Sequence, residues 1–230
     1  MGRIKVPMIK IPLFPLQTVL FPGMPIHLHI FEKRYRLMIQ RCLNNDLAFG
    51  VVLLRHGSDT DITDQIYSIG CTAKIINIET LKDGRYYLTA LGESRFRVQS
   101  IAALTPYIMG NIEEIFTDYD LSHLLLGETV ILRRQIRTYL QLLSTINGYN
   151  YDLKEISGSD LHLPDEPIFL LHLAASLLQL PSPEKQALLS INNLFQLNTK
   201  IQRIYRREIS ILKSWQGKTP EFANKSLWQN

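Results

Sequence analysis

Residues with chemical potential are few in this 230-residue chain, and their spacing assembles no reaction centre. Gly217-Lys218-Thr219 matches the end of a phosphate-binding loop, but Leu212 stands where the opening glycine belongs. That segment also leaves a predicted helix instead of entering one, so its N–H groups do not converge on a phosphate. Gly92-Glu93-Ser94 begins like a nucleophile elbow, yet Phe96 replaces the second glycine and the following residues continue as strand. Gly92 reads instead as a bend in a strand. His27 and His29 alternate, so they share one strand face. Zinc needs three or four ligands and no third is close, so the pair reads as a polar face. His123 and His162 lie in unrelated segments, and His172, inside an apolar run, reads as a hydrogen-bonded core histidine. Cys42 and Cys71 form no CxxC and read as free buried thiols. No spacing pairs a nucleophile with a base. The expectation is a non-enzymatic protein with no cofactor and no metal. A hydrolase would require a cleft joining a Ser or His to a perturbed acid.

Binding chemistry is better represented. Lys plus Arg number 25 against 21 Asp plus Glu, a net charge of +4. The charge is uneven. Residues 193–215 carry five bases against Glu208 alone, whereas 117–192 carry nine acids against five bases. A second basic stretch is Lys33–Arg41. Such faces attract acidic partners or nucleic acid, and they are also the ordinary solvated side of a helix. Tyr205 and Trp215 read as core or end cap rather than as stacking platforms among the bases. In the earlier stretch Tyr35, Met38, Ile39 and Cys42 make a helical core stripe, and Leu37 lies opposite, flanked by Arg34 and Arg41. A leucine ringed by arginines suits an apolar segment with acidic flanks; the competing reading buries Leu37 against the helical half. Arg34, Leu37 and Arg41 are thus the candidate peptide-binding residues. Tyr35 is structural, and Arg36 is expected to pair with an acid.

The elements that must position these residues change character near residue 116. Before it, Ile9–Phe14, Pro25–Phe31, Leu47–Leu54, Gly70–Leu81, Arg85–Leu91, Ser94–Val98 and Pro106–Ile115 read as strands. In Ser94–Val98 the arginines alternate with Phe96 and Val98, as in a half-buried strand. Pro22-Gly23 favours a type II turn, and Asp83-Gly84 signals a type I′ hairpin. His56–Gln65 is a polar loop. After residue 120 the period is helical, with Leu125, Leu132, Ile136, Tyr139, Leu143 and Ile146 on one stripe. Residues 147–164 read as a loop, Ile168–Leu178 as a buried helix, and Ser182 as the cap of a helix with Pro183 at its first position. Leu194, Leu197, Ile201, Ile204, Ile211 and Trp215 form the last stripe. The expected division is a β-rich domain over 1–116, a helical bundle over 117–215 and a tail over 216–230. Pro7, Pro12 and Pro15 break the apolar N-terminus, and no long uncharged apolar run exists, so neither a signal peptide nor a membrane span is expected. The chain reads as cytoplasmic.

Residues 11–43, IPLFPLQTVLFPGMPIHLHIFEKRYRLMIQRCL, resemble the N-terminal substrate-binding domain of the Lon protease family. The run Ile30-Phe31-Glu32-Lys33-Arg34-Tyr35-Arg36 is most similar to stand-alone members and to Lon-like domains attached to RING ubiquitin ligases. Ile69-Gly70-Cys71-Thr72-Ala73, Gly92-Glu93-Ser94-Arg95-Phe96-Arg97-Val98 and Pro106-Tyr107 extend the likeness in order, and the helical half matches more loosely. The resemblance implies an α+β fold, a PUA-like bent β pseudo-barrel followed by an α-helical bundle. It also implies recognition of unfolded or specific protein and peptide partners in proteostasis. The family's ATPase and Ser-Lys peptidase modules, like the eight Cys/His ligands of a RING, have no counterpart in these residues. An exposed sheet edge or an apolar patch would do the binding. The alternative is an RNA-binding PUA-like module, resting on fold analogy and the basic 193–215 helix.

Overall fold

The computed structural model describes residues 8–55, 65–116, 127–147 and 163–215. The 56–64 part of the polar loop, the 148–162 part of the later loop, the tail, Gly217-Lys218-Thr219, Leu125, His123 and His162 lie outside them, as does the side chain of Ile146. Strands occupy the first half: β1 (Ile9–Leu16), β2 (Pro25–Ile30), β3 (Phe49–Leu54), β4 (Ile66–Thr80), β5 (Tyr86–Ala103) and β6 (Met109–Ile115). The helix α1 (Lys33–Asn44) lies between β2 and β3. The second half is helical: α2 (Thr129–Asn147), α3 (Pro167–Leu177), α4 (Ser182–Leu189) and α5 (Leu194–Trp215). The fold is α+β, as expected.

The strands form one mixed sheet in the order β2-β5-β4-β3-β1-β6, and a further β5–β6 pairing closes β5, β4, β3, β1 and β6 into a ring. β1 and β3 are parallel, and the other pairs are antiparallel. Closure depends on the length of β5, whose first part pairs with β2 and whose later part pairs with β6. The two strands expected on either side of Gly92 are therefore one. Gly92 is not a break but a close approach: a Cβ there would lie 2.4 Å from the Phe21 carbonyl oxygen. The register shift between β4 and β5 falls beside it.

Turn chemistry follows the sequence in one case and departs from it in another. Gly23 has φ +76°, and Met24 N–H donates to Phe21 C=O, a type II turn. At the hairpin only Gly84 has positive φ. Gly84 N–H donates to Leu81 C=O and Leu81 N–H to Arg85 C=O. This is the three-residue hairpin that ends in a left-handed glycine, not a type I′ turn.

The described residues form three apolar clusters. One lies inside the ring around Leu13, Phe96 and Ile112. A second joins the α1 stripe to Phe14, Ile30, Phe49 and Leu88. The third is the helical core, and it takes in Phe21 from the β1–β2 turn and Ile69 from β4. Tyr139 and Tyr205 meet edge-on at 5.3 Å within it. The α5 stripe turns towards Tyr205 and Leu212, which are buried, so Ile211 and Trp215 are exposed rather than core. Similarly, Leu142 is buried on α2 where Leu143 is half-buried.

Polar bolts fasten the strands to the helices. Arg95 Nη1 donates to Leu189 C=O at 3.0 Å and Ile191 C=O at 2.7 Å. Gln186 Nε2 donates to Ile69 C=O at 2.9 Å. Arg95 is therefore buried, against the alternation expected of a half-buried strand, because the helical layer covers the face it occupies. Ser182 does not cap its helix; the cap position is Pro181, and Ser182 Oγ donates instead to Gln17 C=O.

Candidate functional site

The α1 helix packs Tyr35, Met38, Ile39 and Cys42 into the core, as its spacing requires. Tyr35 rests against Phe14 with ring centroids 4.3 Å apart. Arg34, Leu37 and Arg41 follow at i, i+3 and i+7, so they share the opposite face. Leu37 is 50% exposed, which excludes its burial against the helical half. Arg34 Nε donates to Glu32 at 2.8 Å, and its guanidinium lies 4.5 Å from the Tyr35 ring centre. Arg41 Nη1 donates to the Tyr107 hydroxyl at 3.3 Å. Both arginines remain on the surface, held in place by these contacts. Arg36 is a correction: its Nη1 donates to the Asp83 backbone carbonyl in the hairpin, not to an acidic side chain.

Beside this face runs a groove of about 370 Å³ between Phe14–Leu16 on one wall and Leu28–Phe31 on the other. Arg34 and Tyr35 reach into its lining, so α1 forms one bank of it. Phe31 is 61% exposed at its rim. This groove is not legible as a site in the sequence, because it arises from strand order. Its signal was present in Pro15, which interrupts one wall, and in Pro25–Phe31, an apolar strand with no charge.

The histidine pair lies on the outer face of β2. His27 Nδ1 sits 3.0 Å from Thr89 Oγ1, and His29 stacks on Tyr87 at 4.6 Å. That is the polar face expected. Among the described residues no cluster of three or more His, Cys, Asp or Glu is placed to hold a metal. No described helix is long and apolar enough to cross a membrane.

A smaller cleft of about 170 Å³ lies between strands and helices, with Glu93, Ser94, Glu114 and His172 among its lining. These residue types are those of a hydrolase, but their arrangement is not. His172 Nδ1 is buried with no hydrogen-bond partner, so no carboxylate orients the ring through this atom, and the expected core hydrogen bond is not made there. Burial, and then the Arg95 charge, push its pKa down to about 3, too low for a base at neutral pH. The Ser94 backbone is engaged by Thr72 Oγ1 on both sides. Both cysteines are free and buried, as expected. Burial pushes the Cys42 thiol up to about 11 and raises Cys71 as well, so neither is an activated nucleophile.

A closed strand ring backed by a helical layer, with an apolar groove and a basic helix along its rim, defines a class of α+β domain. A sequence model of the ATP-dependent protease La (LON) substrate-binding domain matches residues 10–206, and the chain belongs to that family. It is 24% identical over 206 residues to Lon protease 2 of Myxococcus xanthus, covering 88% of this chain and 24% of the relative. It is 25% identical over 230 residues to the Lon protease of Parabacteroides distasonis, covering 94% of this chain and 26% of the relative. The chain thus spans about a quarter of the length of these curated relatives. Among solved structures it resembles a Lon N-terminal domain protein from Xanthomonas campestris, with TM-score 0.53 and 21% identity, over 90% of this chain and 98% of that one. The N-terminal domain of a Mycobacterium avium complex Lon protease gives TM-score 0.51 at 16% identity, over 92% of this chain and 100% of that one. These two likenesses concern the fold.

Proposed function

We propose that this protein is a cytoplasmic, non-catalytic module that binds unfolded or specific polypeptides in proteostasis, using Arg34, Leu37 and Arg41 on α1. In this reading residues 1–116 form the recognition domain, 117–215 brace it, and 216–230 are a tail. The observation that carries the proposal is Leu37, half exposed between two arginines on a helix whose other face is fully used in the core. Leu37 belongs to none of the core clusters, and its exposed half is free to cover a client's apolar side chain. The arginines hold their donors where acidic flanks of that client would meet them. Membership of a substrate-binding family supports the reading. The nucleic-acid alternative finds less support: Tyr205, which lies among Arg203, Arg206 and Arg207, is buried and donates its hydroxyl to Ala174 C=O, which leaves Trp215 at the helix end as the exposed aromatic beside Lys213.

The experiment is fluorescence anisotropy with a labelled, permanently unfolded polypeptide, comparing the parent with Leu37→Asp. Removing one buried leucine contact and adding a charge that opposes acidic flanks lowers affinity by about tenfold or more. The variant keeps the parent's melting temperature because Leu37 is outside the core. Equal affinity for parent and variant would overturn the assignment of the site.

A further inference from the structure

The groove beside α1 is an open seam in the sheet. β1 pairs with β6 through Ile9–Pro12 and with β3 through Leu13–Leu16, so beyond Leu13 its outer edge has no strand neighbour among the described residues. β2 has β5 as its one strand neighbour in the same set. These two edges face each other across the groove, with Phe14–Leu16 on one side and Leu28–Phe31 on the other. β2 lies outside the ring that the β5–β6 pairing closes, and the seam is the gap between β2 and the β1 wall.

The two edges differ. Leu13 N–H donates to Ile108 C=O, away from β3, and the two-residue period of a strand turns Pro15 the same way. Proline has no N–H, so the β1 edge is a poor template. Along β2, Met24 C=O accepts from Gly92 N–H, and the register runs without a shift from Pro25 to Ile30. Ile26, Leu28 and Ile30 consequently direct their backbone groups to β5, while His27 and His29 direct theirs into the seam. Sheet edges are usually blunted by charges, bulges or cover. β2 has neither a charge nor a bulge between Pro25 and Phe31.

Resting on the reading above, we propose that the seam takes an extended polypeptide segment as an added strand along β2. The segment carries apolar or aromatic side chains at alternate positions and acidic residues at its flank. Main-chain bonds to His27 and His29 hold it independently of sequence. Alternate side chains enter the cavity over Phe14, Tyr35 and Ile108. In the groove lining Arg34 pairs with Glu32 at 2.8 Å, so the preference for acidic over basic flanks comes from Lys33, Arg36 and Arg41 further along α1.

The test uses labelled peptides of alternating valine and phenylalanine with aspartate at both ends, and the same core with lysine ends. N-methylation is placed on one alternate set of residues or on the other. Added-strand binding predicts that one methylated set loses about tenfold or more and the other little, since only one set of N–H groups faces β2. It also predicts that His29→Pro, which removes a seam-facing N–H, weakens binding similarly. The lysine-ended peptide binds worse than the aspartate-ended one. The methylation contrast stands even if His29→Pro does not fold. Aspartate-ended peptide that binds, responds to Leu37→Asp and ignores both methylated sets would overturn the added strand and leave the proposed function standing. Absence of binding by every peptide and by unfolded polypeptide would overturn both. A dimer abolished by His29→Pro, with no peptide bound, would overturn the proposal by giving the edge to a second copy.

Discussion

Replacing Arg95 by leucine tests whether strands and helices fold as one unit. Arg95 is 4% exposed and donates from Nη1 to Leu189 C=O, Ile191 C=O and Asn192 Oδ1. Burial lowers its pKa from the ordinary value, yet an arginine stays charged. The leucine variant strands no charge. It leaves the buried Leu189 carbonyl without this donor, at about 1–3 kcal/mol, and the part-buried Ile191 carbonyl, nearer about 1 kcal/mol because water reaches it. Apolar burial of the new side chain offsets some of this. The expected net loss is about 1–3 kcal/mol, a fall of roughly 0.5–1 M in the urea midpoint with the slope unchanged. Urea unfolding followed by far-UV circular dichroism reads it directly. A variant within about 0.5 kcal/mol of the parent would refute the idea that this arginine bolts the halves together.

The remaining predictions concern the interior. His172 is neutral in the folded chain, with its pKa near 3, while the unfolded chain gains a proton at this residue below about 6.5. Stability is therefore unaffected by this group above about pH 6.5 and falls as pH drops from there towards 3, by up to about 1.4 kcal/mol per pH unit. In a His172→Phe variant this slope is gone, so the stability difference from the parent shifts by about 2 kcal/mol between pH 7 and pH 5. A pH-independent difference would contradict the buried neutral ring. Gly92→Ala drives a Cβ to 2.4 Å from the Phe21 carbonyl oxygen and should cost about 2 kcal/mol or more in thermal unfolding; an unchanged midpoint would contradict the close approach.

Much of the architecture was legible because local pattern and tertiary demand agree. The α1 stripe, the apolar β3 run, the buried α3 helix and the Pro22-Gly23 turn each carry one signal with one outcome. Elsewhere the sequence is ambiguous for physical reasons. A glycine marks both bends and close approaches, so Gly92 concealed the length of β5 and hence the closure of the ring. Alternation in Ser94–Val98 identifies two faces but not that a helical layer covers the second, so Arg95 looked like a surface residue. The α5 stripe has two nearly equivalent continuations, and Tyr139 and Ala174 on neighbouring helices decide for Tyr205 and Leu212. The basic face of α1 was readable from spacing alone. The seam was not, because it exists only once the strand order brings β1 and β2 to opposite sides of one gap.

Amide chemical-shift mapping on the full chain addresses the central claim most directly. Titration with an acid-flanked unfolded peptide should shift resonances of Arg34, Leu37, Arg41 and their α1 neighbours, and leave the exposed face of α5 unmoved. Shifts confined to Lys200, Arg203 and Arg206, or a spectrum unchanged at saturating peptide, would contradict it.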